Sequence, residues 1–263
     1  MPEFSANLSL LFRESPPIDR FAAARAAGFS AVEIQFPYAI EPDLIRRELD
    51  RHDLALVLIN VPAGDLMDGG DGLACVPGRE TAFRQAVSEA LAYAEALDVR
   101  RINVLAGRQP AGAELLACLE TLAVNLQYAA DAFEDIGAIT TFEAINTHDM
   151  PRFLVSTVSQ MQEMREAVAH PSLKMQFDCY HMARMGEDLA ASLRENLPDI
   201  GHIQFADVPG RGQPGTGGLD FAALFRLIDE AGYRGYCGAE YHPTAATADS
   251  LGWFAPYRQG GYR

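Results

Sequence analysis

One alternation runs the length of this chain: a short β-type run, then a stretch whose apolar residues recur three and four apart. The runs that read as strands are Phe4–Leu8, Ala31–Phe36, Ala55–Asn60, Arg101–Leu105, Ile139–Ala144, Leu173–Asp178, His202–Ala206 and Gly235–Glu240. Between them, helices are expected over Ile18–Ala27, Asp43–His52, Arg79–Leu97, Glu114–Asp135, Thr157–Val168, Leu189–Asn196, Phe221–Ala231 and Ala248–Phe254. Gly28 is a good stop for the first helix, and Pro42 suits the first turn of the second. Strands separated by helices imply parallel βαβ units. Eight units within 263 residues predict a single (β/α)8 TIM barrel, one α/β domain over residues 1–263. Periodicity does not register closure, so a doubly wound open sheet is the alternative. No Pro/Ser-rich linker or shift of composition divides the chain.

Composition narrows the class. Hydrophobic residues at 49% and charged residues at 22% supply a sizeable core under a solvated surface. With 21 basic and 36 acidic residues, the formal charge of −15 repels phosphate backbones, so no nucleic-acid partner is expected. No stretch approaches the roughly 20 apolar residues of a membrane span. The start, MPEFSANLSL, lacks a basic region followed by an apolar one. Cys75, Cys118, Cys179 and Cys237 lie far apart with no CxxC pair, which speaks against a zinc ribbon or a disulfide framework. A cytoplasmic protein with reduced thiols is expected.

Parallel barrels place their active sites at the C-terminal ends of the strands. Four strands end there in oxygen donors: Glu143 in ITTFEAI, Asp178 in LKMQFDCYH, Gln204 in GHIQFAD and Glu240 in GYCGAEYHP. An acid inside an apolar strand is costly unless paired or bound to a metal. Any one of them fits a strand-end salt bridge; four on neighbouring strands five to eight converge. Two Glu, one Asp and one amide oxygen carry −3, a charge that repels itself without a cation. Oxygen-only donors suit Mg2+ or Mn2+ better than Zn2+.

Other residues are weighed by position. His181 stands in Asp-x-x-His spacing after Asp178, which makes it a substrate-binding candidate, though a helix-entry histidine bonding a carbonyl has the same spacing. His52 and His170 read as exposed, and His202 as packing. His148 and Asp149, in the loop after Glu143, and His242 stay open between site and surface. Gly210-Arg-Gly-Gln-Pro-Gly215 matches GxGxxG, but Pro214 and the glycines after it forbid the helix that a dinucleotide fingerprint needs. The segment reads as a loop over the barrel mouth that presents Arg211 to a substrate carboxylate. Arg79 is a second candidate clamp, or a helix-start pairing residue.

The chain resembles the hydroxypyruvate isomerase family, within the xylose-isomerase-like barrels that include ketose 3-epimerases. The resemblance spans FSANLSLLF, NVPAGD, CVPGRE, RINVLAGRQPAG, EAINTHDMPRF, FDCYHMARM, GHIQFADVPGRGQPGTG and WFAPYR. It implies that Glu143 and Glu240 bind metal and flank the substrate as proton-transfer groups. Asp178 and Gln204 would complete the metal site, with His181 and Arg211 contacting substrate. Gln204 departs from the His that epimerases place there, which fits the hydroxypyruvate-isomerase-like branch. The expected reaction interconverts hydroxypyruvate and 2-hydroxy-3-oxopropanoate through an enediol, with a small hydroxy-oxo acid as the only partner implied. A 2-oxotetronate isomerase, a ketose 3-epimerase and a non-enzymatic sugar-acid-binding barrel are the alternatives. An apurinic-site endonuclease would need a His-rich zinc site and a basic face, against six His and −15 here. The sequence is compatible with a homo-oligomer and leaves the copy number open.

Overall fold

The computed structural model describes residues 1–258; residues 259–263, the end of the expected domain, lie outside them. Eight strands form the wall: β1 (Glu3–Asn7), β2 (Ala31–Ile34), β3 (Ala55–Asn60), β4 (Arg101–Val104), β5 (Ile139–Glu143), β6 (Leu173–Asp178), β7 (Ile200–Phe205) and β8 (Tyr236–Ala239). They pair in chain order, and β1 pairs in parallel with β8, so the sheet closes and the open-sheet alternative falls. Around them run α1 (Arg20–Ala26), α2 (Pro42–His52), α3 (Glu80–Leu97), α4 (Leu115–Glu134), α5 (Val158–Val168), α6 (Cys179–Arg184), α7 (Leu189–Asn196) and α8 (Phe221–Glu230). No helix among the described residues is long and apolar enough to cross a membrane.

Period-two alternation decides what each strand buries on either side. In β1, Phe4 faces the helices and packs edge-on against Phe225 of α8, with ring centroids 4.8 Å apart. Phe205 of β7 does the same against Trp253 at 5.1 Å. These contacts fasten α8 and the C-terminal segment to the wall; such pairs add about 0.5–1.5 kcal/mol each beyond burial. The residues between them, Ser5, Asn7, His202 and Gln204, point into the barrel and are all buried.

Three local features differ from expectation. β7 begins at Ile200, two residues before the expected His202. The expected helix over Ala248–Phe254 is a 3-10 stretch, Thr247–Tyr257, interrupted at Leu251. The short α6 follows β6 with no loop, because Asp178 caps it: its Oδ1 accepts from the backbone N–H of Tyr180 at 2.7 Å and of His181 at 3.4 Å. One residue thereby ends a strand, starts a helix and keeps its second oxygen for the barrel mouth.

Candidate active site

Glu143 is the last residue of β5, Asp178 the last of β6, and Glu240 follows β8 directly, so all three stand at the same mouth. They are 5%, 1% and 4% exposed. A cavity of about 70 Å3 opens between Glu143 and Glu240, with His181 and Arg211 also in its wall. Glu143, Asp178 and His181 each bring one ligand-type atom within 4.8 Å of the others. Asp178 Oδ2 is buried without a hydrogen-bond partner. A buried carboxylate oxygen whose nearest cation is Arg211 at 3.9 Å, with no hydrogen bond, is costly, and a closer cation is the partner its chemistry suits.

The two glutamates are held very differently. Glu240 Oε1 accepts from Asn7 Nδ2 at 2.9 Å, Gln35 Nε2 at 2.8 Å and Gln204 Nε2 at 3.3 Å, while Oε2 pairs with Arg211 at 2.5 Å. Burial pushes its carboxyl up to about 7, with Arg211 pulling the other way. Glu143 accepts from Asn103 Nδ2 at 2.9 Å. Burial, then the charges of Glu240 and Asp178, push it up to about 8.

His181 is neutral: burial holds its imidazole down at about 4. Its Nδ1 faces the Asn146 amide at 2.7 Å. Asn146 Oδ1 accepts from Asp149 N at 2.9 Å, so its NH2 must be the group facing the ring. Nδ1 therefore accepts, and Nε2 carries the proton, 3.7 Å from Asp178 Oδ2. That tautomer donates towards the cavity rather than ligating a metal. Tyr180 Oη donates to Asp149 at 2.7 Å and lends its ring face to the Arg211 guanidinium, 5.2 Å away.

The structure turns Gln204 differently from the expected oxygen ligand. Its Oε1 accepts from Gln176 Nε2 at 2.7 Å, and its NH2 donates to Glu33 Oε2 at 2.8 Å and to Glu240. The cause is Glu33, which sequence reasoning missed. This fully buried carboxylate accepts from Ser5 Oγ at 2.6 Å and faces His202 Nε2 at 2.8 Å. An acceptor-only group there compels Gln204 to present its N–H side. Burial raises the Glu33 carboxyl, but His202, Ser5 and Gln204 outweigh it and hold the group below the ordinary range.

Arg211 sits in the glycine-containing loop after β7, as expected. Asp207 folds that loop: its carboxylate accepts backbone N–H groups from Val208, Gly215, Gly217 and Leu219 at 2.8–3.1 Å. Gly217 is required there, since a Cβ would stand 1.8 Å from the Val208 carbonyl oxygen. Arg211 itself adopts φ +54°, and its Nε is buried without a partner. Arg79 lies elsewhere, bonded to Asp65 at 3.0 Å and to the Gly72 carbonyl at 2.8 Å, outside the cavity wall. His148 and His242 are exposed. His52 and His170, expected to be exposed, are partly covered; each leans on acidic residues, Glu48 and Asp131.

Comparison with known proteins agrees with the barrel fold. A family model described as "Xylose isomerase-like TIM barrel" matches residues 21–257. The chain is 43% identical to a 2-oxo-tetronate isomerase of Cupriavidus necator, over 98% of this chain and 99% of the relative. It is 40% identical to a hydroxypyruvate isomerase of Escherichia coli, over 98% and 100%. Among solved structures, one described as an AP endonuclease of family 2 from Brucella melitensis superposes with a TM-score of 0.96 at 40% identity, covering 98% of this chain and all of the other.

Proposed function

Because the chain belongs to the xylose isomerase-like TIM barrel family, we propose that it is a one-domain, metal-dependent isomerase that interconverts hydroxypyruvate and 2-hydroxy-3-oxopropanoate. One observation carries the reading: two buried glutamates, Glu143 and Glu240, share one small cavity with a neutral histidine and an arginine. Proton removal from one carbon and its return to the next needs two such groups.

Glu143, Asp178 and Glu240 are the oxygen donors that would hold a divalent ion, and the partnerless Asp178 Oδ2 fits one. Hard oxygens favour Mg2+ or Mn2+. Bound there, the ion supplies Lewis-acid polarisation of a carbonyl oxygen. Arg211, whose Nε–H has no partner, binds the substrate carboxylate. His181 donates from Nε2 to a substrate oxygen. One glutamate takes the carbon-bound proton and the other delivers a proton to the neighbouring carbon. The narrow cavity leaves little room for water beside the enediolate. Gln204 contributes N–H groups that steady Glu240. The four cysteines are buried and free, which suits the cytoplasm, where we place the enzyme.

A four-carbon acid is the second reading, favoured by the relative named 2-oxo-tetronate isomerase. The test offers the Mn2+-loaded protein both three-carbon isomers, 2-oxotetronate and neutral ketoses in deuterated water. Interconversion of the three-carbon pair with solvent deuterium on carbon is expected. Turnover of the four-carbon acid alone would move the substrate, and no turnover of any oxo acid would refute the reading.

A further inference from the structure

Beneath the two glutamates lies a second buried carboxylate system that the isomerase reading does not use. Glu33 sits inside the barrel on β2, 0% exposed, 2.8 Å from His202. Its two oxygens do different jobs. Oε1 is tied down by Ser5 and His202. Oε2 takes Gln204 Nε2 at 2.8 Å and Asn7 Nδ2 at 3.4 Å. Both of those amides also donate to Glu240 Oε1.

Resting on the isomerase reading, we propose that Glu33 is a positioning residue for the reaction, acting through the shared Gln204 and Asn7 amides to fix the carboxylate of Glu240. An amide flips its donor and acceptor ends at little cost unless its neighbours forbid it. Glu33 is acceptor-only, so Gln204 must turn its NH2 towards it, which leaves the second N–H for Glu240. The Gln204 oxygen then faces Gln176, whose own oxygen accepts from Thr141 at 3.2 Å. Glu33 thus sets the sense of a bond chain that reaches β5.

The backbone leaves room for this carboxylate at Gly238. Gly238 of β8 lies opposite both Ser5 and Gln204 in register. A Cβ on Gly238 would stand 2.2 Å from Glu33 Oε1 and 2.6 Å from Oε2. A residue kept only for a structural ion pair would not need its second oxygen aimed at the donors of Glu240.

The test uses Glu33→Gln, which keeps volume and replaces one acceptor by a donor. Loss of an orienting partner of this kind lowers activity about 10- to 100-fold. The fall should appear in kcat, with KM within about threefold, because the substrate's own contacts are untouched. The side-chain N–H signals of Gln204, assigned by their loss in Gln204→Glu, should shift and exchange faster in Glu33→Gln. Ser5→Ala, which loosens Oε1 with little risk to folding, should show the same kcat signature in weaker form. A kcat loss that only follows the loss of folded protein would overturn the proposal, as would unchanged Gln204 signals in Glu33→Gln. Should the wild-type protein turn over no oxo acid, the proposed reaction fails. The Gln204 signals then still decide whether Glu33 orients the amide.

Discussion

Replacing each glutamate by glutamine, in protein stripped of divalent ions, should separate the two by stability as well as by rate. In Glu240→Gln the amide oxygen must take the side where Asn7, Gln35 and Gln204 all donate. The new NH2 then faces the Arg211 guanidinium, whose remaining carboxylate partner among the described residues is Asp178, 3.9 Å away. Removing one partner of a buried ion pair costs about 3–5 kcal/mol; Arg211 is 20% exposed, so the lower end applies. At about 2–4 °C per kcal/mol for a chain of this size, Tm should fall by about 6–12 °C. In Glu143→Gln the oxygen still accepts from Asn103, and the NH2 replaces a carboxyl that its like-charged neighbours already push towards the neutral acid. Stability should stay within about 1 kcal/mol of wild type or rise. Yet both variants should lose about 100- to 10,000-fold in kcat, unrestored by excess Mn2+, because an amide is not a usable base. Thermal melts of the stripped proteins and kcat at saturating Mn2+ read both quantities. A Glu143→Gln protein as unstable as Glu240→Gln would refute the asymmetry, and metal-restored turnover in both would leave them as mere ligands.

Three further outcomes follow from the same geometry. Glu143, at about 8, and Glu240, at about 7, are raised above the unfolded value of 4.5. Their contribution to the stability of the stripped protein should therefore be fully present below about pH 4.5 and be lost progressively as pH rises to about 8; Mn2+ should raise Tm most at the alkaline end, and a Glu143→Gln protein whose Tm falls between pH 5 and 8 as steeply as that of the stripped wild type would contradict this. Arg211→Ala should weaken oxo-acid binding by about 2–5 kcal/mol while leaving an uncharged ketose much less affected, read from KM for each; equal losses would remove the carboxylate clamp from Arg211. With burial holding it at about 4, His181 should show a neutral ring with the proton on Nε2 throughout pH 5–8 by nitrogen NMR, and titration near 6.5 would refute its burial.

The alternation of strand and helix made the barrel legible, because seven crossovers leave few parallel topologies. Glu143, Asp178 and Glu240 were legible for a simple reason: charge at the end of an apolar strand is costly and therefore conspicuous. The same strand-end rule, applied to the first four strands, reaches Asn7, Gln35, Asn60 and Asn103. These were passed over because a neutral amide carries no such penalty once bonded. Arg211 was visible from its loop, whereas Arg79 was attractive only by type; its neighbours Asp65 and Gly72 come close through a turn that periodicity does not encode. Glu33 escaped because it lies within β2, AVEI, where one acid among apolar residues looks like an outward-facing charge. Only closure of the sheet puts His202, far away in sequence, beside it.

Closure also makes unequal what the sequence presents as a matched pair of glutamates. Glu240 draws its donors from β1, from the end of β2, from β7 and from the loop after β7, all of which the β1–β8 pairing brings to one side of the mouth. Glu143 is served by the Asn103 amide of β4. Donors stabilise the anion, and isolation among like charges stabilises the acid. The metal-free site thus starts with Glu240 as the better candidate for the ionised group and Glu143 as the better candidate for the protonated one. An isomerase needs such a difference: two equally basic groups would compete for one proton, whereas an anchored carboxylate facing a loosely held acid gives the proton a direction. On the proposed reading, the amides of Asn7, Gln35 and Gln204 hold Glu240 as the anchored carboxylate, although none of them relays a proton.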